Sequence, residues 1–448
     1  MDRAILKDIE RWNQDTRRKP LVLMGARQVG KTWLLNAFAQ KHYPNQCVQV
    51  DLQRDERLRQ GIEDSDIDPK TLIDLIQAST GQEVIPGKTL LVIDEIQESH
   101  KALNSLKYFN QDMPELAVAV AGSLLGLALG NSSDKRKRPE RGSFPVGKVN
   151  FLFVPPMTFT EFVQAADNPM RFKALNDLDW KLLSLQRTHF EDLLRRYLFV
   201  GGMPEAVETF ARTGNYAAVR KVHKEILLSY DTDFVKHAPP ELLAKIRLLW
   251  NNIPAQLAKE NKKFVYTALK SGARAREYET ALQWLDDAGM IKQVYRISEP
   301  LLPVKAHRDF SAFKLYMHDV GLLGAMSGLT SQALLLKDEI FANFKGALGE
   351  QFALQEMIAQ GKEPVYWTSG SGNAEVEFAL QAADGVIPVE VKSGYNAKAK
   401  SLGEYLRRFN PRLALRTSLN DYSCGPTITD LPLYAFGSYL RTVPTGEV

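Results

Sequence analysis

Two cysteines in 448 residues, Cys47 and Cys424, exclude a disulfide framework and stand in no metal-like spacing. A thiol-reducing, cytoplasmic setting is the expectation that follows. Long apolar runs are also scarce. The longest uncharged stretch covers 116–133, and its apolar part, 116–129, falls short of the roughly 20 residues a bilayer needs. It divides at Gly122-Ser123 into a strand-like and a helix-like half, so no membrane partner is expected. An excess of one charge is missing too. The 57 basic and 53 acidic side chains leave a formal net charge of +4, and any basic surface must be local. Residues 1–18 are charged throughout, unlike a signal peptide. Internal repeats and low-complexity tracts are absent. The rest is ordinary globular composition, at a length that implies two to four domains of roughly 100–200 residues.

Strand and helix signals alternate over the first 150 residues. Strands are expected at 21–24, 47–51, 90–93, 116–121 and 149–154, and helices at 32–42, 69–78 and 101–110. Several fully apolar strands separated by helices imply a parallel sheet covered on both faces. A polar loop at 131–147 carries Lys135, Arg136, Lys137, Arg138 and Arg141 against Asp134 and Glu140. Residues 159–237 read as helical, interrupted at Gly201-Gly202-Met203-Pro204. Short helices and a strand or two are expected over 241–297. From Lys314 the pattern is helical, then it changes to strands at 365–368, 375–380 and 387–392.

Gly25-Ala26-Arg27-Gln28-Val29-Gly30-Lys31-Thr32 matches the phosphate-loop pattern G-x-x-x-x-G-K-[ST], between a strand and a helix as the pattern requires. Its glycines let backbone N–H groups turn toward a polyphosphate, and the following helix aims its positive end there. Lys31 is expected to reach the β- and γ-phosphates of ATP and Thr32 to ligate Mg2+. Trp33 completes the binding segment. Leu90-Leu91-Val92-Ile93-Asp94-Glu95 places two acids at the C-terminal end of a buried strand, where ligands of open α/β sheets bind. Asp94 is expected to hold the magnesium through water, and Glu95 to polarise the attacking water as a general base. Ser123, after the next strand, is either a γ-phosphate sensor or a helix cap.

This combination resembles the AAA-type ATPases, and more closely the bacterial and archaeal ones that carry a C-terminal domain of unknown function. The likeness extends to FLFVPPMTFTEF from Phe151, YLFVGGMPEAV from Tyr197, KLYMHDVGLL from Lys314 and FKGALGEQF from Phe344. That family usually places a glycine-arginine pair before the last core strand, where this chain has Gly147-Lys148. Arg138 or Arg141 is then the alternative arginine finger, against a plain solvated charge run.

Residues 253–295 have the order helix, helix, helix, ribbon, with a short helix opening at Ala268-Leu269-Lys270, a turn at Ser271-Gly272 and a longer helix over 275–288. This looks like a winged helix, which the resemblance also implies. Arg274, Arg276 and Lys292 are its candidate DNA-phosphate contacts. Interleaved Glu277, Glu279, Asp286 and Asp287 leave open a packing role without DNA.

Glu375, Glu377, Glu390 and Lys392 lie on consecutive expected strands, and i and i+2 share a strand face. Glu377 beside Glu390, with Glu350 from a helix, would form a magnesium site next to the Lys392 ammonium. The arrangement resembles the PD-(D/E)xK nuclease core, with Glu377 where aspartate is usual. A retained fold that binds without cleaving is the alternative.

The expected fold class is therefore α/β, a P-loop NTPase parallel sheet over 1–156 with a helical lid over 157–238. A winged-helix module (239–312) and a PD-(D/E)xK-like α/β domain (313–448) follow. The expected function is Mg-ATP binding and hydrolysis coupled to DNA or a protein partner. A nucleotide-switched scaffold and an ATP-gated nuclease are the alternatives, and self-association is left open.

Overall fold

The computed structural model describes residues 2–122, 147–332, 342–370, 372–395 and 399–444. They cluster into two units, 2–154 with 287–289, and 155–286 with 290–448. The expected boundaries after 238 and 312 fall inside the second unit.

In the first unit β1 (Leu21–Met24), β2 (Cys47–Asp51), β3 (Leu90–Asp94), β4 (Ala117–Ala121) and β5 (Asn150–Phe153) form one sheet in the order β2-β3-β4-β1-β5. Every pairing is parallel. β3 and β4 are buried at every position, while the edge strands alternate or face outward. Helices cover the faces, as the apolar strands require. Helix Pro69–Thr80 shows the local logic: Asp68 accepts the Thr71 N–H as N-cap, and proline fills the first helical position. Parallel strands bring all their C-terminal ends to one edge, so the loop after β1, Asp51 and Asp94 lie together.

The second unit opens with helices, including Arg187–Val200, Pro204–Thr213, Tyr216–His237 and Pro240–Leu257. Its sheet has eight strands: β6 (Ile291–Ile297), β7 (Asp309–Met317), β8 (Val365–Thr368), β9 (Glu375–Ala382), β10 (Gly385–Val391), β11 (Ala414–Ser418), β12 (Ser423–Cys424) and β13 (Ile428–Pro432). Their order is β12-β13-β11-β10-β9-β8-β6-β7. Three expectations are corrected here. Lys314 opens no helix; it lies within β7, whose last six residues are all buried. A run buried on both faces has no strand periodicity to read. The expected helix at Ala268-Leu269-Lys270 is a single 3-10 turn, Tyr266–Ala268, and the chain then turns at Gly272 with φ +76°. The ribbon β6–β7 is no free wing, because β6 pairs in parallel with β8 through Arg296↔Tyr366 and Ile297↔Trp367.

The Gly-Gly-x-Pro segment has a packing cause. Gly202 donates its N–H to Asp319 Oδ2 at 2.6 Å, and its carbonyl accepts the Met157 N–H at 2.7 Å. A Cβ on Gly201, at φ +71°, would overlap the Asp319 carboxylate, and one on Gly202 would overlap the Met157 carbonyl. Pro204 begins the next helix. Gln355 completes the node, donating to the Tyr197 hydroxyl at 2.8 Å and accepting the Val320 N–H at 3.0 Å. The segments around Met157, Tyr197, Asp319 and Phe352 thus meet inside one unit.

Candidate functional site

The phosphate loop is held from below. A Cβ on Gly25, at φ +140°, would overlap the Val154 carbonyl, so only glycine lets β5 pass this close. Gln28 and Gly30 also adopt positive φ, 66° and 91°. Arg3, buried, donates to the Val29 carbonyl at 3.0 Å. Ala26 and Val29 are buried, Gln28 is exposed, and Trp33 stands 45% exposed on helix Lys31–His42.

Lys31 lies inside the curl, its Nζ donating to the Gly25 and Ala26 carbonyls at 2.9 and 2.8 Å. Burial pushes its pKa down to about 8; Glu95 and Asp94 resist that shift, and Arg27 adds to it. Thr32 Oγ1 donates to Asp94 Oδ2 at 2.6 Å, and the Glu95 N–H donates to Asp94 Oδ1 at 3.0 Å. Burial raises the Asp94 pKa, opposed by those two bonds. Glu95 leaves the strand in the left-handed region, φ 48°, an uncommon conformation for glutamate. It turns the acid out of the sheet, with Gln97 donating to its Oε2 at 2.5 Å.

Thr32, Asp94 and Glu95 face a cavity of about 590 Å³ that is also lined by Arg27 and by residues of β2 and its exit, a size ordinary for small-ligand pockets. The motif implies magnesium. A hydroxyl and a carboxylate 2.6 Å apart at the cavity wall are a fitting donor set, since magnesium takes few protein oxygens and keeps several waters.

Sequence reasoning missed Asp51, Gln49, Asn36 and Arg54, which also line this cavity. Asp51 is registered directly beside Asp94, and its Oδ1 accepts the Gln53 and Arg54 N–H groups at 2.9 and 3.1 Å. The only sequence signal was an acid ending an expected strand, and what brings it to the site is the pairing of β2 with β3. Ser123, Arg138 and Arg141 lie outside the described residues.

The C-terminal acids are arranged differently. β9 and β10 pair antiparallel and bring Glu377 and Glu390 to one place, as expected. Lys392 Nζ lies between them, 3.0 Å from Glu377 Oε1 and 2.6 Å from Glu390 Oε1. Lys314 Nζ sits 2.6 Å from Glu375 Oε1 and 3.8 Å from Glu350 Oε2. Glu350 is further engaged by Lys262 and by the Tyr316 hydroxyl, at 2.9 Å. Burial, and Glu390 beside it, push the Glu377 pKa up to about 7 against Lys392. Burial opposes the charge on Lys392, but Glu377 and Glu390 outweigh it and hold its pKa above the usual lysine value. Among the described residues no three His, Cys, Asp or Glu side chains converge to hold a metal ion. Lysines stand among the expected Glu350, Glu377 and Glu390: Lys392 beside Glu377 and Glu390, and Lys262 and Lys314 beside Glu350.

Arg274 and Arg276 are exposed at the start of helix Ala275–Asp287. Lys292, half-buried on β6, lies in the fields of Asp286 and Glu363. Among the described residues no helix is long and apolar enough to cross a membrane.

No curated protein matches the chain. It is similar in structure to the Walker-type ATPase of Pyrococcus abyssi, with 14% identity over 72% of this chain and 95% of that one, at a TM-score of 0.41. The Orc1 protein of Aeropyrum pernix, solved in complex with DNA, shares 14% identity over 72% and 91% at 0.26. A signal transduction ATPase with numerous domains and a tetratricopeptide repeat sensor, from Pyrococcus horikoshii, shares 13% over 79% and 48% at 0.24. Two family models of unknown function match, DUF8612 over residues 191–333 and DUF4143 over 345–436. Residues 17–163 match the model of an AAA domain, and the parallel sheet, the loop after β1 and the acids after β3 give that part of the chain an AAA-type P-loop fold.

Proposed function

We propose that the chain binds and hydrolyses Mg-ATP at the phosphate loop. The single observation that carries this reading is the cavity on which Thr32, Asp94 and Glu95 meet. Lys31 and the loop N–H groups would hold the phosphates. Thr32 and Asp94 would hold magnesium, which bridges the β- and γ-phosphates and offsets their charge. Glu95 accepts the proton of the attacking water. Its left-handed backbone is local strain of the kind that functional positions retain.

The output of the second unit is binding, to DNA or to a protein, without cleavage. What supports this is the internal pairing of the C-terminal acids. Helix Ala342–Ala359, the antiparallel β8, β9 and β10, helix Lys400–Phe409 and the parallel β11 carry these acids or pack beside them. The charges there are spent on one another.

ATP turnover, measured with and without duplex DNA over a salt series, tests both parts. Lys31→Ala is expected to abolish nucleotide binding. Unchanged ATP affinity in that folded variant refutes the site. DNA stimulation that fades with salt favours a DNA output, whereas none at about 50 mM salt, where non-specific binding is strong, points to a protein. Magnesium-dependent nicking of plasmid would overturn the binding reading.

A further inference from the structure

The cavity wall includes two arginines, Arg27 and Arg54. They differ in setting. The Arg54 side chain is 89% exposed, with its Nε 3.3 Å from Asp51 Oδ2. Arg27 is half-buried within the phosphate loop, and its charge is close enough to Lys31 to bear on that ammonium. Asp94 and Glu95 act on the same ammonium. Arg27, Thr32, Asp94 and Glu95 line the same cavity, at the loop that the motif assigns to phosphate.

A guanidinium on the wall of this cavity is placed to attract an anion that enters it. The motif lysine accounts for the charge already on the phosphates; a further guanidinium fits charge that develops during transfer. The other basic residue that family resemblance singled out, Lys148, is badly placed for this within its own chain. It precedes β5, whose Asn150 lies beside Leu21, while the loop follows Met24 beside Phe153. Lys19, just before β1, donates to the Gly147 carbonyl at 2.7 Å. Lys148 is thus at the opposite end of the sheet, with the four residues of β5 alone spanning about 13 Å.

We propose that Arg27 is a catalytic residue that contacts the γ-phosphate of ATP and stabilises the transition state, an arginine finger supplied from within the phosphate loop. This rests on the ATPase reading above. As the water oxygen bonds to the γ-phosphorus, the bond to the β–γ bridging oxygen breaks and its electron pair leaves on ADP. The water proton passes to Glu95, and Arg27 holds the charge on the transferring group.

The test compares Arg27→Ala, Arg27→Lys and Lys31→Ala. Arg27→Ala is expected to lower kcat by about 10³-fold or more. Its Kd for a non-hydrolysable ATP analogue should move by less than about tenfold, one factor of ten being about 1.4 kcal/mol. It should lose trapping of ADP with aluminium fluoride, which mimics the transferring phosphoryl group. Arg27→Lys should recover only part of the rate, since it keeps the charge and loses the planar fork. Turnover within a few-fold of wild type in Arg27→Ala overturns the proposal. Parallel loss of analogue binding and turnover overturns it as well, because Arg27 would then be a ground-state ligand. Where the alanine variant does not fold, Arg27→Lys decides: wild-type rate and trapping refute the role, and reduced kcat with intact analogue binding supports it. A different result, wild type without ATP turnover and Lys31→Ala binding analogue normally, refutes the ATPase reading itself.

Discussion

The two units use the same residue types in opposite ways. In residues 2–154, arginine and acids line a space, while Lys31 bonds to loop carbonyls, Thr32 to Asp94, and Glu95 stands beside the cavity. In the C-terminal sheet the lysines lie between the acids, Lys392 between Glu377 and Glu390, and Lys314 between Glu350 and Glu375. Acids at strand ends therefore signal a ligand site when they border an open cavity and no lysine bonds to them directly. When a lysine faces them, the same row is a structural device whose disruption is costly. This contrast ranks what should happen when each set is broken.

The largest effect is expected from Glu95→Gln. The amide keeps the shape and cannot take a proton, so ATP should bind while turnover falls by about 10²–10⁴-fold. Single-turnover measurement with radiolabelled ATP reads both quantities. Normal turnover would mean that the outward-facing acid has no chemical role, and the contrast between units would lose its functional half.

Next comes Gly202→Ala, which should destabilise the second unit by about 3 kcal/mol. The added Cβ would overlap the Met157 carbonyl, beside the bond from Gly202 N–H to Asp319. The midpoint of urea unfolding checks it. A midpoint equal to wild type would show that the node yields, and that its glycines owe their place to something other than packing.

Lys392→Met should cost less, about 1–3 kcal/mol, because the lysine is 29% exposed and solvent screens part of the pair. Replacing Glu377 and Glu390 with glutamine in the same chain should recover most of the loss, since it removes the two charges left facing each other. A stabilised Lys392→Met would instead mark the acids as a cation site kept closed by the lysine.

These effects also separate what could be read from sequence and what could not. The phosphate loop was legible because eight consecutive residues carry it and its glycines answer local backbone demands. Asp94 and Glu95 were legible as acids ending an apolar strand. Asp51 was not, because its role arises when β2 lies beside β3, and one sequence does not state which strands are neighbours. β7 was misread because burial on both faces erases its alternation. The paired lysines were half legible. Lys392 follows Glu390 by two positions on the same face, whereas Lys262 and Lys314 reach Glu350 across 88 and 36 residues. The Gly-Gly-x-Pro node spans still more chain, 117 residues from Gly202 to Asp319 and 158 from Tyr197 to Gln355. Its blocks could be matched by likeness, yet their mutual contact is a property of the fold.

The smallest effect tests whether the second unit also neutralises acids that have no lysine. Glu356 is buried, its Oε1 accepting the Phe159 N–H at 2.7 Å. Burial, reinforced by Glu161, pushes its pKa up to about 8 against the Phe159 bond and Arg441. A carboxyl with a folded pKa above its unfolded one binds more protons in the native state between the two values. Its contribution to stability is complete below the unfolded value of 4.5 and is lost as pH rises through about 8. Asp319 and Glu377 pull in the same direction, but their raised values, about 6 and about 7, end their windows earlier. Between pH 7 and 8 the slope from these three acids should come mainly from Glu356, at no more than about 1.4 kcal/mol per pH unit. Glu356→Gln keeps the acceptor for Phe159 and removes the titration. Urea midpoints at pH 7.0, 7.5 and 8.0 should fall with pH in the wild type and stay flatter in the variant. Equal slopes would mean that Glu356 is already ionised at pH 7, and that this unit tolerates a buried acid without a proton or a lysine to neutralise it.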